Sequence, residues 1–230
     1  MLLKTRFGLP VYSGRPGPCP LCSESLDHFG DHATCCAKSN LTARHNAMTS
    51  AIGRVLVSAG LDVSYEVAIS GRLRPADIFI RGMSWPEPDI MDATMVNPMT
   101  DFDQTGPADR VAQAEENKHK KYDELCQRAK VKLTAFGVST LGGVGPEAHQ
   151  FLGRIRERLL KDNGKTEGGV LAKEAMERIS VACQRSVAAQ LLKSSGGLTS
   201  NEAAGPRAPT TAPSEQGESP AADEAAAMEQ

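Results

Sequence analysis

The sequence has few aromatic side chains and no long apolar run. Phe, Trp and Tyr together make up 4% of its 230 residues. No stretch reaches the roughly 18 consecutive apolar residues of a membrane span, so no transmembrane helix is expected. The N-terminal residues have neither a long apolar centre nor a cleavage-site pattern, so we expect no secretory signal. We therefore predict a protein that is neither secreted nor bound to a membrane.

Charge is nearly balanced overall but unevenly distributed. The net charge is −2, and residues 194–230 carry six acidic residues and one Arg, which leaves a charge of about +3 on the remainder. A mildly basic folded part is compatible with nucleic-acid binding. Residues 194–230 are rich in Ala, Pro and Ser and almost lack large apolar groups. Because such a segment buries too little surface to offset chain entropy, we expect a disordered acidic tail.

Apolar periodicity predicts an α/β domain with a mixed sheet flanked by helices. The expected elements, in chain order, are a helix at 42–59, strands at 62–69, 74–80 and 90–96, a long helix at 108–133, a strand at 134–140, and helices at 147–161 and 168–193. We divide the chain into a lead-in (1–14), a Cys/His-rich segment (15–46), a core (47–193) and the tail (194–230).

Four cysteines and two histidines fall within the stretch CPLCSESLDHFGDHATCC. Cys19 and Cys22 form a CxxC pair, a common half-site for zinc, and His32 and Cys36 supply a second pair. Four such ligands suit a closed tetrahedral structural site that would order a segment with little apolar core. His28 and Cys35 are possible substitutes in the second pair, and free thiols on a loop are the alternative.

Two aspartates interrupt strand-like runs, Asp77 in RPADIFI and Asp92 in IMDATMV. Alternation places each on one face of its strand, so the two can approach if the strands pair. Two ionised carboxylates repel at close range unless a cation lies between them, and oxygen ligands suit Mg²⁺ or Mn²⁺. A turn-capping role for Asp77, or an ion pair of Asp92 with Arg74 or Lys118, is the alternative.

The long helix carries charge on its apolar stripe. Glu115 and Lys118 share the stripe with Val111, Tyr122 and Leu125, so both charged side chains should point inward. A lysine beside a metal-bound carboxylate pair can orient water or stabilise charge on a phosphate oxygen. Glu66, in SYEVAI, is a further acidic candidate.

Taken in order, CPLC…GDHATCC, RHN, E…RPADI, DATMV and AEENKHKKY resemble a known arrangement. It is the restriction-like endonuclease region of site-specific non-LTR retrotransposon and reverse-transcriptase-linked proteins. There a CCHC zinc motif precedes a nuclease core of the PD-(D/E)xK type. The resemblance covers about residues 8–193 and implies a restriction-endonuclease-like core.

The resemblance also implies roles for individual residues. Asp77 matches the first metal-binding aspartate and Asp92 the second acidic position, so both are candidate catalytic and magnesium-binding residues. Thr94 stands where the usual lysine would be, and Lys118 on the following helix matches that lysine. Lys121 and Tyr122 match a Lys-Tyr pair, and together with Lys118 and Glu66 they are further candidate catalytic residues. Arg44 and His45 match an Arg-His pair, and the zinc ligands fall on Cys19, Cys22, His32 and Cys36.

From these features we expect a metal-dependent DNA endonuclease of retroelement origin. It would carry structural Zn²⁺ and catalytic Mg²⁺ or Mn²⁺. DNA would be its partner, together with a reverse transcriptase encoded separately or by the same element. A nuclear location follows from that function, with the cytoplasm as the alternative. The alternative function is a catalytically inactive zinc module, derived from a retroelement, that binds nucleic acid or protein.

Overall fold

A computed structural model describes residues 4–5, 7, 9–12, 17–68, 76–84, 86–99 and 107–195. Most of the predicted tail, part of the lead-in, and Arg74 with Pro75 at the start of a predicted strand lie outside these ranges. No helix in the described ranges is long and apolar enough to cross a bilayer.

Within the described ranges, four helices and four strands form a mixed α/β domain. In chain order they are α1 (Asp31–Cys35), α2 (Leu41–Ser58), β1 (Asp62–Val67), β2 (Ala76–Arg81), β3 (Asp89–Val96), α3 (Pro107–Ala129), β4 (Lys132–Ser139) and α4 (Pro146–Ser194). The predicted order of helices and strands is confirmed from α2 onward, whereas α1 lies in the Cys/His-rich segment, where no helix was predicted.

The four strands form one sheet in the order β1-β2-β3-β4. The β1–β2 and β2–β3 pairs are antiparallel, whereas β3 and β4 are parallel. A parallel pair needs a long crossover, and α3 supplies it. The sheet is therefore mixed, as predicted.

Helices cover both faces of the sheet. On one face, α2 and α4 bury an apolar core with the strands that includes Met48, Ile78, Met91, Phe136 and Phe151. On the other face, α3 packs Tyr122 and Cys126 against Ile90 and Leu133. Phe136 and Phe151 meet edge to face, with ring centroids 6.1 Å apart. The side chains of Ile90 and Asp92, two residues apart on β3, both face α3.

Most boundaries differ from the predicted ones by one or two residues, and two differences are larger. The long helix ends at Ala129 rather than at 133, because Lys130 adopts a left-handed φ of 52° and β4 begins at Lys132. The two predicted C-terminal helices are joined without a loop. Gly164, with φ 77° and ψ 170°, bends α4 so sharply that Gly168 lies against the backbone of Leu159. Glycine tolerates that φ, which explains how one residue replaces a connecting loop.

Candidate metal centre and acidic site

The Cys/His-rich segment brings four potential ligands together. The ligand atoms of Cys19, Cys22, His32 and Cys36 all lie within 4.8 Å of one another, and Cys22 Sγ is 3.2 Å from His32 Nε2. Three thiols and one imidazole form a donor set typical of structural zinc. The four side chains can therefore hold a zinc ion, and the alternatives His28 and Cys35 are not members of the group.

Backbone contacts prepare Cys19 for metal binding. Burial acts to raise the pKa of this thiol, but hydrogen bonds from the backbone of Leu21 and Cys22, together with His32, lower it to about 7. The thiolate is the form that ligates metal, so a lowered pKa favours binding near neutral pH.

Asp27 fixes the position of His32. Its carboxylate accepts hydrogen bonds from the backbone N–H groups of Phe29 (2.8 Å), Asp31 (3.0 Å) and His32 (2.6 Å). Burial acts to raise the pKa of Asp27, but these N–H donors outweigh it and lower the pKa. Glu24 Oε2 lies 3.5 Å from His32 Nδ1, an outer contact of the kind that orients a metal-binding ring and leaves Nε2 for the metal.

Arg44 attaches the Cys/His-rich segment to the core. Its buried guanidinium donates to the carbonyl of Thr34 (2.7 Å), to Gln190 Oε1 (2.9 Å) and to the carbonyl of Met95 (3.3 Å). Burial lowers the pKa of Arg44. These three acceptors come from α1, from α4 and from β3, so one side chain holds three parts of the fold together.

The second site lies between β2, β3 and α3. Ile78 pairs with Met91, so the next step of the same register sets Asp77 beside Asp92. Asp77 Oδ2 accepts the N–H of Ala93 at 2.7 Å. Lys118 Nζ lies 2.9 Å from Asp92 Oδ1. The predicted approach of the two carboxylates, and the predicted inward direction of Lys118, are both present.

The two carboxyl groups differ in electrostatic environment. Burial, with a contribution from neighbouring Asp77, raises the pKa of Asp92 to about 6 even though Lys118 acts to lower it. For Asp77, burial also acts to raise the pKa, but hydrogen bonds from His45 and the N–H of Ala93 outweigh it and lower the pKa. The site therefore holds an ionised Asp77 next to an Asp92 that resists ionisation.

The other predicted site residues, Glu66, Lys121 and Tyr122, differ in burial and in contacts. Glu66 is exposed on β1 with a φ of 51°, and it interrupts the ladder between the Tyr65–Ile78 and Val67–Ala76 pairs. Tyr122 is buried in the apolar cluster under α3. Lys121 is exposed, and its Nζ lies 4.6 Å from the centroid of the Tyr122 ring. Tyr122 thus packs the core, and Lys121 covers the outer face of its ring.

Glu115 points inward, as predicted, but away from the aspartates. Its carboxylate accepts the N–H groups of Gly137 (3.0 Å), Glu147 (3.0 Å) and Ala148 (3.1 Å). The last two belong to the first turn of α4, so a buried anion caps that helix. A Cβ atom on Gly145 would collide with this carboxylate, which explains the glycine there.

His45 is the residue of this site that the sequence patterns did not place. It lies in the first turns of α2, and its Nε2 is 3.0 Å from Asp77 Oδ1. The hydrogen bond with Asp77 raises the pKa of His45, while burial acts to lower it. The signal in the sequence was the RHN triplet, which carried no assigned role.

No protein-family model matches this chain, and a search of curated proteins finds no match. Any function must therefore be argued from the two sites themselves.

Proposed function

We propose that this chain is a metal-dependent endonuclease that hydrolyses phosphodiester bonds in DNA, built on a restriction-endonuclease-like core. The observation that carries the proposal is the juxtaposition of Asp77 and Asp92 on neighbouring strands, with Lys118 Nζ 2.9 Å from Asp92. Two carboxylates on the two inner strands of the sheet, with one ammonium group beside them, form a set of groups that can hydrolyse a phosphodiester with a bound metal ion.

The donor set fits a divalent cation. Burial and the adjacent Asp77 raise the pKa of Asp92 to about 6, so the contact with Lys118 does not fully offset the removal of water from this carboxylate. Carboxylate oxygens are the ligands that Mg²⁺ and Mn²⁺ prefer. A divalent ion held by Asp77 and Asp92 would act as a Lewis acid toward the phosphodiester.

The protein groups have separate tasks in this proposal. Asp77 and Asp92 provide the oxygens, and Lys118 provides a fixed positive charge that can orient the attacking water or donate to a phosphate oxygen. The Cys/His-rich segment, with zinc bound, would help to dock the duplex. Because phosphate contacts dominate such binding, the affinity for DNA should fall steeply with salt concentration. Retroelement origin and a reverse-transcriptase partner rest on the sequence resemblance alone.

One observation favours the alternative of a non-catalytic zinc module. Each carboxylate already has a protein partner, since His45 and Ala93 contact Asp77 and Lys118 contacts Asp92. Such contacts are sufficient for structural ion pairs. The alternative needs the zinc ligands and the core but no divalent ion at the aspartates.

A plasmid nicking assay separates the two functions. Zinc-loaded protein would be incubated with supercoiled plasmid in Mg²⁺ and in Mn²⁺, beside Asp77→Ala, Asp92→Ala and Lys118→Ala. Lys120→Ala is the matched control, because Lys120 lies on the same helix but pairs with exposed Glu116 at the surface. We expect cleavage by the wild type and the control only, with DNA binding retained in all variants.

Absence of cleavage by the folded wild type on plasmids of diverse sequence, together with no Mn²⁺ binding at the aspartates, would support the zinc module instead. Loss of DNA binding in Asp77→Ala would show that this residue does more than catalyse.

A further inference from the structure

Asp77 is held at both oxygens by groups from different elements. Oδ2 accepts the N–H of Ala93 on β3, and Oδ1 lies 3.0 Å from His45 Nε2 on α2. An ionised carboxylate can only accept hydrogen bonds, so the His45 nitrogen that faces it is the donor. The two contacts together define the orientation of the carboxylate plane.

The restraint on the Asp77 side chain is important because the carboxyl group of Asp92 lies next to it. Asp92 lies beside Asp77 on the next strand and is held by Lys118. Two carboxylates in contact repel, and a free Asp77 side chain would relieve the repulsion by rotating away. The His45 contact opposes that rotation because it lies on the oxygen that the Ala93 N–H does not hold.

His45 itself is placed by a rigid part of the fold. The preceding residue, Arg44, is buried and bonded to the carbonyls of Thr34 and Met95 and to Gln190. Asn40 caps the same helix end through a hydrogen bond from Ala43 N to its side-chain oxygen. The helix turn that leads into His45 is therefore fixed by two separate sets of contacts.

We propose that His45 is a positioning residue, which holds the Asp77 carboxylate in the orientation that binds a divalent cation together with Asp92. This inference rests on the proposed function, because it concerns the same pair of aspartates. It assigns His45 no direct contact with the substrate. Outer contacts of this type tune the affinity of a metal site without supplying a ligand.

Substitution of His45 provides the test. Gln places an N–H group where Nε2 lies, so His45→Gln keeps a donor to Asp77, whereas His45→Ala removes it. Asn46→Ala is the matched control, since Asn46 is the adjacent exposed residue. Mn²⁺ affinity would be measured by calorimetry on zinc-loaded, magnesium-free protein, with zinc content and thermal unfolding followed in parallel.

We expect His45→Ala to weaken Mn²⁺ binding by about 10-fold or more, the usual effect of losing an outer contact. His45→Gln should recover most of the affinity, and Asn46→Ala should match the wild type. In the nicking assay, His45→Ala should need more Mn²⁺ but approach the wild-type rate once the ion is saturating.

Three results would overturn the inference, and they are distinguishable from one another. If the wild type binds Mn²⁺ and His45→Ala binds it equally well, the positioning role fails while the proposed function stands. If the wild type binds no ion besides zinc, both fail. A fall in affinity that His45→Gln shares in full would also overturn the role, because the hydrogen bond would then not be its cause.

Discussion

Lys118 Nζ lies 2.9 Å from Asp92 Oδ1, and yet the pKa of Asp92 is raised to about 6. The ion pair therefore does not outweigh the removal of water from the carboxylate and the proximity of Asp77. A buried charge pair of this kind is a weak source of stability. The unfavourable environment of the Asp92 carboxylate therefore has a measurable consequence for stability.

Replacement of Asp92 by Asn should stabilise the magnesium-free protein above about pH 6. The folded pKa, about 6, exceeds the ordinary value of 3.8, so the folded state binds the extra proton. Stability from this group is thus complete below about pH 4 and is lost as the pH rises through 6. We expect a gain of about 1–3 kcal/mol at pH 8, since one pKa unit corresponds to about 1.4 kcal/mol.

Urea unfolding at pH 4.5 and at pH 8 would measure this gain, with zinc present and magnesium absent. Asp62→Asn is the matched control, because Asp62 forms an exposed pair with Arg81. A loss of stability in Asp92→Asn at pH 8 would contradict the expectation.

Removal of zinc should destabilise the start of α2 as well as the Cys/His-rich segment. Arg44 bonds to the carbonyl of Thr34, only two residues from the ligand Cys36, and precedes His45 in the chain. Loss of the metal should therefore raise amide exchange in residues 17–40 and also in the first turns of α2. Hydrogen exchange before and after chelation would report this. Cys36→Ser should behave like chelated protein, whereas Cys35→Ser, outside the ligand group, should retain the ion.

If exchange rose in residues 17–40 alone, Arg44 would not transmit the loss of zinc to α2. Unchanged exchange in both regions, with zinc removal verified by metal analysis, would mean that the segment folds without the ion.

Glu115 should be needed for stability rather than for cleavage. Its carboxylate accepts three backbone N–H groups at the start of α4 and at Gly137. Buried donors that lose an acceptor cost about 1–3 kcal/mol each, so Glu115→Ala should lower the free energy of unfolding by several kcal/mol. Chemical denaturation would measure the loss. Glu116→Ala, on the exposed side of the same helix turn, should cost less than about 1 kcal/mol.

His119 should make stability depend on pH near neutrality. Partial burial acts to lower the pKa of His119, but hydrogen bonds to Glu147 and Asp123, both 2.7 Å, outweigh it and raise the pKa. The contribution is complete below the ordinary pKa of 6.5 and is lost as the pH rises through the higher folded pKa. Thermal melts from pH 5.5 to 9 should show a smaller decline in His119→Gln than in the wild type. Parallel curves for the two proteins would refute this assignment.

Local patterns predicted much of both sites. The spacing of the cysteines and histidines favoured the four residues that form the cluster, but it left His28 and Cys35 as possible substitutes. Strand alternation allowed Asp77 and Asp92 to approach on condition that their strands pair, which they do. The helical stripe correctly turned Glu115 and Lys118 inward. The stripe could not show that Glu115 and Lys118 have different roles. Glu115 binds the start of α4, which lies more than 30 residues later in the sequence and meets α3 only in the folded protein.

The contact between His45 and Asp77 could not be found in the same way. It joins a helix end to a strand 32 residues later, and no periodicity encodes such a pairing. The bend at Gly164 was missed for a different reason. Helical patterns on both sides of a glycine do not distinguish a sharp bend from a loop.

The antiparallel register of β2 and β3 limits where residues can be inserted or deleted without disrupting the acidic site. Successive residues of a strand face opposite sides of the sheet. Asp92 therefore lies under α3 only while no residue is inserted or deleted between it and the paired residues Ile90 and Met91. Adding or deleting one residue inside β3 would exchange Asp92 with an apolar neighbour and bury a carboxylate against α2 and α4. The connection at residues 82–88 is not under this constraint. Chains that share this site should therefore differ in length between the two aspartates only where the strands are not paired.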